Sequence, residues 1–168
     1  MIRFGEFLYK YRAVIAVLFF IILILFSKPR HLLMLPGIFI IIGLMLRIWA
    51  AGYIGKASRE NKYTTRYAVV NGPYHYLKHP LYLGNFFLVS GVILLFSPPS
   101  WLGVLIIILF IFVYLIIIYS ELNYLKGLSK KEMKFKWINT RGEISTIVVM
   151  IVIFLIYFVA RWGLSQNR

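Results

Sequence analysis

Polar positions along this chain are bunched, and apolar ones run in blocks. Five blocks carry almost no charge, at about residues 13–27, 32–53, 81–96, 101–120 and 144–162. A bilayer core needs roughly 20 helical residues, and it leaves no water for an unpaired backbone group. The pattern therefore predicts an all-α fold, a multi-span membrane helical bundle of about five transmembrane helices. The first block follows Arg3, Lys10 and Arg12, as in a signal peptide, but "SKPR" follows it without a small-residue cleavage site, so it reads as a retained span. The turn "SPPS" is short and uncharged, which makes spans three and four a tight antiparallel hairpin. Residues 1–168 read as one transmembrane domain. Its only long polar stretches are the loops 54–80 and 121–143.

Composition sharpens this picture. Hydrophobic residues make up 61% of the 168, with a mean hydropathy of +0.84, against roughly 45–50% apolar in a soluble domain. The formal charge is +14. In a soluble chain that would suggest nucleic acid; here no nucleic-acid partner is expected, because basic loops beside anionic headgroups account for the charge. Five spans place fourteen Lys and Arg on the side of the N-terminus and both long loops, and four on the other. That bias predicts a multi-pass protein whose N-terminus and two long loops are cytoplasmic. There is no Cys and no Asp, so no disulfide, thiolate metal site or cysteine nucleophile is expected, and no metal.

One stretch breaks the apolar monotony: "NGPYHYLKHPLYLGN", Asn71 to Asn85. Asn71-Gly72-Pro73 is turn chemistry. His79-Pro80 predicts a helix start, since a residue before proline is extended and proline favours the first helical turn. His79 is then the N-cap of span three, with Tyr82 and Gly84 on its first turns. A helix start is an anion site, and Lys78 adds charge. Span four returns to the same surface at Glu121, a carboxylate at a negative dipole end that wants a cation. A zwitterionic amino-acid group would satisfy both ends. Plainer readings stand beside this one: Lys78 pairing with Glu121, His79 as a cap only, and Tyr74, Tyr76 and Tyr82 as an interfacial belt. Further on, Ser129-Lys130-Lys131-Glu132 reads as a capping box, which predicts a short interfacial helix with Met133 and Trp137 on one face, or else a solvated basic loop.

"GPYHYLKHPLYLGN" resembles the signature of the isoprenylcysteine carboxyl methyltransferase and phospholipid methyltransferase families. Gly72, Pro73, Tyr74, His79, Pro80, Tyr82 and Gly84 match in order and spacing, and Glu121 falls where the first glutamate of a Glu-Glu-x-x-Leu motif belongs, with Leu125 as its leucine. Lys78 stands where arginine is usual, and Leu122 replaces the second glutamate. The resemblance implies S-adenosyl-L-methionine as methyl donor, held by Tyr76, Lys78, His79, Pro80, Tyr82, Gly84 and Glu121. It implies a membrane lipid or lipidated carboxylate or amine as acceptor. Arg47, Lys56 and Lys126 are the candidates for the mouth through which that acceptor arrives. No catalytic acid or base is expected, because in-line methyl transfer needs proximity and alignment above all. Two other classes fit the same pattern: a non-catalytic descendant that binds lipid or a membrane partner protein, and a steroid-reductase-like enzyme using NADPH.

Overall fold

The computed structural model of the chain describes residues 2–27, 33–58, 60, 63 and 65–166. Among them the chain forms six α-helices: α1 Ile2–Leu25, α2 Met34–Ile54, α3 Pro73–Tyr76, α4 Pro80–Phe96, α5 Ser100–Leu125 and α6 Ile144–Gln166. α1, α2, α5 and α6 are long and apolar enough to cross a membrane; α4 is a shorter apolar helix of 17 residues. This is the all-α membrane bundle that the apolar blocks predict. α1 begins well before its apolar block, because Arg3, Glu6, Lys10 and Arg12 are adequate helix formers and no proline interrupts them. α5 runs past Ser120 to Leu125, so Glu121 lies within its last turns. Lys28, Arg30, Arg59, Lys62 and Arg168, which enter the charge count, lie outside the described residues.

Neighbours are chosen by small residues. α2 and α4 pack along each other through Gly43 and Gly84; a Cβ on Gly84 would stand 2.7 Å from Arg47 Cγ and 3.1 Å from the Gly43 carbonyl. Such close backbone approach is how apolar helices associate where lipid removes the hydrophobic drive. α1 lies against α5, with Gly5 facing Ser120. The turn between α4 and α5 is tight as expected, with Ser97 left-handed at φ 45°. Away from it the two helices meet through rings, Phe86 on Phe110 and Tyr82 on Tyr114. At the turn end, Leu23 of α1, Phe96 of α4, Ile106 of α5 and Tyr157 of α6 join one buried core.

The opposite end gathers the start of α1, both long loops and the start of α6. There the loops are zipped together. Ala68–Val69 and Lys130–Lys131 form a two-stranded parallel pair. The Asn71 side chain donates to the Met133 carbonyl and accepts from its N–H, both at 2.9 Å. Lys136 N–H and Asn139 Nδ2 both donate to the Gly52 carbonyl at 3.0 Å, and the Phe135 ring occupies the place of a Gly52 side chain. The interfacial helix expected from Ser129 onward is therefore replaced by a strand, an irregular strap and a 3₁₀ turn, Trp137–Glu143. A lysine-rich segment has too little apolar surface to hold a helix in place, whereas pairing with the first loop satisfies its backbone directly.

Candidate functional site

The polar stretch folds as its turn residues dictate. Gly72 is left-handed at φ 60°, with the Tyr53 ring packed where a side chain would stand. Pro73 opens the single turn α3, and Leu77 returns the chain to extended geometry. His79 is the N-cap of α4 and Pro80 its first residue. The His79 carbonyl accepts from Tyr82 N–H at 3.1 Å and Leu83 N–H at 3.2 Å. Its imidazole caps nothing. It reaches across to α5, with Nδ1 3.1 Å from Glu121 Oε2, and its ring stacks on Tyr82 with 5.6 Å between centres. Glu121 thus finds His79, rather than Lys78, as its partner.

Behind this pair lies a cavity of about 650 Å³, bounded by α1, α4, α5 and α6 beneath the zipped loops. Three buried polar atoms on its wall have no hydrogen-bond partner among the described residues: Ser58 Oγ, Tyr74 Oη and His79 Nε2. Buried polar atoms are nearly always bonded, and each orphan costs about 1–3 kcal/mol. Three on one cavity make it the candidate ligand site. Burial, and then the nearby Glu121 charge, raise the Tyr74 phenol far above its ordinary value, so it stays a neutral donor. The exposed Lys78 and the Glu121 carboxyl group both line the cavity. Arg12 of α1, itself on the cavity wall, pins the Ser58 segment, donating to the carbonyls of Ser58 at 3.4 Å and Glu60 at 3.1 Å while lying 3.9 Å from the centre of the Tyr9 ring.

Of the residues expected from sequence, Arg47, Lys78, His79, Pro80, Tyr82 and Glu121 line this one cavity. Three others do not. Tyr76 is 76% exposed and turned away. Gly84 is spent on the α2 crossing. Lys126 is exposed, 3.4 Å from Asn123 Oδ1. Lys56 lies in the turn Gly55–Ser58, its side chain outside the description. Arg47 is a fixed part of the wall: Nε and Nη2 donate to Glu143 Oε2 at 2.7 Å and Oε1 at 3.1 Å, and Nη1 to Asn85 Oδ1. Asn85 donates in turn to the Tyr114 hydroxyl at 2.8 Å. Leu122, at the position of the absent second glutamate, is 40% exposed and outside the cavity wall.

Sequence reasoning missed Ser58, Arg12, Asn85, Tyr114 and Glu143, and it did not assign Tyr74 to the site. Glu143 had a signal. A buried cation needs a carboxylate, and this chain has only five acidic residues to partner the one charge inside a span. For Ser58 and Arg12 there was none, because their meeting depends on how α1 lies against the first loop.

Compared with known proteins, the chain matches the profile of the phospholipid methyltransferase family over residues 31–131. That range holds α2 to the second strand, with His79 and Glu121, and leaves α1 and α6 outside. No curated protein and no solved structure matches the chain. With well over half its length inside the family profile and its apolar helices arranged as a bundle, the chain is an integral membrane protein of the phospholipid methyltransferase family.

Proposed function

We propose that the protein is an S-adenosylmethionine-dependent methyltransferase that modifies a lipid, or a lipidated carboxylate or amine, at the cytoplasmic membrane surface. The observation that carries this reading is that Ser58 Oγ, Tyr74 Oη and His79 Nε2, all buried and without a partner among the described residues, lie on one mostly apolar cavity. The residues present fit the donor. Lys78 suits its carboxylate, and Glu121 suits its ammonium or ribose hydroxyls. Ser58, Tyr74 and His79 offer hydrogen bonds to the same groups. The Tyr82 ring, held in place by His79 and Tyr114, offers a face that attracts a sulfonium. When bound, the donor supplies an electrophilic methyl carbon, which an acceptor lone pair takes while the C–S electron pair stays on sulfur. The chain's task is to orient the partners and exclude water, and the zipped loops above the cavity serve the second purpose. A carboxylate acceptor needs no base. An amine acceptor sheds its proton after transfer. The fourteen-to-four charge bias supports the cytoplasmic side.

The test is ligand-induced stabilisation of the purified protein in detergent. S-adenosylhomocysteine should raise the melting temperature of the parent. His79→Ala and Glu121→Gln should each weaken its binding by about 1–3 kcal/mol, the cost of a charge-assisted bond, and Tyr76→Ala should not. Label from a methyl-labelled donor should then enter the organic-extractable fraction of membranes. A rise with NADPH in place of S-adenosylhomocysteine would overturn the reading in favour of a reductase. No rise with either would favour a non-catalytic lipid-binding descendant, a reading that Leu122 in place of the second glutamate keeps in view.

A further inference from the structure

The zipped loops have an outer side. There the strap and the end of α2 enclose a second cavity of about 430 Å³, lined by Tyr53 of α2 and by Lys131, Glu132, Lys134, Lys136 and Asn139 of the second loop. It shares Ile54 alone with the first cavity. The backbone that carries these lysines is held in place, by Asn71 on Met133 and by the Gly52 carbonyl on Lys136 and Asn139. Among the described residues no carboxylate pairs with Lys131, Lys134 or Lys136, although Glu132 stands in the same wall. The Lys131 amine instead lies 4.5 Å from the centre of the Tyr67 ring, and Tyr67 lines the first cavity. Two spans fix the depth. α2 ends at Ile54, and the turn Trp137–Glu143 runs directly into α6 at Ile144. The second cavity therefore sits at the ends of two apolar helices, where a bilayer presents its phosphates. Trp137 and Ile138, which follow Lys136, are 75% and 55% exposed, and tryptophan beside lysine is the composition of a headgroup layer.

We propose that this second cavity binds the headgroup of an anionic phospholipid, distinct from the methyl donor and acceptor, and that its occupancy holds the zipped loops closed over the His79 site. Lys134 and Lys136 suit the phosphate, and Glu132 suits hydroxyls such as those of a phosphoglycerol headgroup. A lipid phosphate is already confined to this depth, so it loses little freedom on binding, whereas a free phosphate must be drawn out of bulk water. The consequence for the first cavity runs through the strand pair. Lys130 and Lys131 pair with Ala68 and Val69, and Val69 lines the first cavity with Tyr67. A strap held against the membrane surface keeps that pair in register, and with it this part of the wall. Closure then depends on the charge of the surrounding lipid, whichever ligand the first cavity takes.

Amide hydrogen exchange of the full-length protein in lipid nanodiscs tests this, with three parts phosphatidylcholine to one of phosphatidylglycerol compared against phosphatidylcholine alone. The bonded amides of Met133 and Lys136 should exchange about fivefold more slowly in the mixed lipid, the factor that one lysine contributes beside an anionic surface. Ala68 and Val70, whose amides donate to the carbonyls of Ser129 at 3.0 Å and Lys131 at 3.3 Å, should slow with them. They belong to the first loop and so report closure rather than lipid contact. Lys134→Gln combined with Lys136→Gln should exchange like the parent in phosphatidylcholine and lose the difference between the two lipids. Lys10→Gln, an exposed lysine of α1, should keep it. Equal rates in the two lipids would overturn the proposal, as would a difference that survives in the double variant. A loss as large in Lys10→Gln would mean diffuse attraction to a charged surface and no site. Equal slowing by millimolar inorganic phosphate in phosphatidylcholine nanodiscs would rule out the lipid as the ligand. Slowing at Met133 and Lys136 with Ala68 and Val70 unchanged would break the link to the first cavity.

Discussion

Arg47 and Glu143 are 7% and 1% exposed, 96 residues apart in the chain, and each is the other's main solvation. Thr146 Oγ1 donates to Glu143 Oε2 at 3.1 Å and Asn85 accepts from Arg47, so every charged atom is held. Removing one partner strands the other. Arg47→Met or Glu143→Gln should each destabilise the protein by about 3–5 kcal/mol. Arg47→Met with Glu143→Gln together should cost less than either alone, as read from thermal unfolding in detergent; simple additivity would contradict this account. Tyr63 gives a residue-scale prediction in pH. Its hydroxyl donates to the Ile117 carbonyl at 3.2 Å between the rings of Tyr9 and Tyr124, and burial first of all pushes its phenol up to about 12. The folded state therefore favours the neutral form. That contribution is whole below pH 10 and is lost as pH rises from about 10 to about 12. Tyr63→Phe should be less stable than the parent by about 1 kcal/mol at pH 8, with the gap closing across that window. A gap constant with pH would mean the hydroxyl bond is not what holds this ring.

At the scale of elements, the zipped loops are the unusual feature. Their join has few contacts, and each is specific: the Asn71 bracket on Met133, the two-residue strand pair, and the close seat of Phe135 on Gly52. A methyl group on Gly52 would collide with the Phe135 ring, a rigid group with the strap's backbone behind it. Gly52→Ala and Asn71→Ala should both loosen the strap. Trypsin should then cleave at the lysines of residues 130–136 several-fold faster than in the parent. Gly37→Ala has nothing within 4 Å of the added carbon and should leave cleavage unchanged. A helix at residues 129–137 would ignore Asn71. Of the two readings of this segment, the solvated basic loop stands nearer the structure than the interfacial helix, because a capping box describes only what a helix start can satisfy locally. It cannot register that another loop offers the same backbone groups a better partner.

For the molecule as a whole, the charge bias is the basis of the proposed orientation. The absence of cysteine from the chain makes the test clean. Ser100→Cys at the start of α5 and Ser129→Cys beside the strand pair are both exposed positions at opposite ends of the bundle. The first should react with an impermeant thiol reagent from outside the cell and the second should not. The reverse pattern would move the His79 site to the outer surface, and with it the supply of donor.

The features legible in the sequence were those that a few neighbouring residues decide. Block length announces spans because the bilayer has one thickness. Gly72-Pro73 announces a left-handed turn, and His79-Pro80 a helix start, because φ restrictions act within a dipeptide. His79 and Glu121 were placed at one surface in advance, though with Lys78 as the candidate ion-pair partner of Glu121, because a four-residue turn leaves their two helices little choice but to come back together. The tertiary structure alone decided which helix lies beside which. Helices that are apolar on every side carry no stripe to mark the face that packs, and lipid does not favour one face over another. The alignment of α1 with α5, the meeting of Arg12 with the Ser58 loop and the choice of Glu143 for Arg47 all depend on that unmarked packing, which close approach at a few small residues settles only once the whole bundle is assembled.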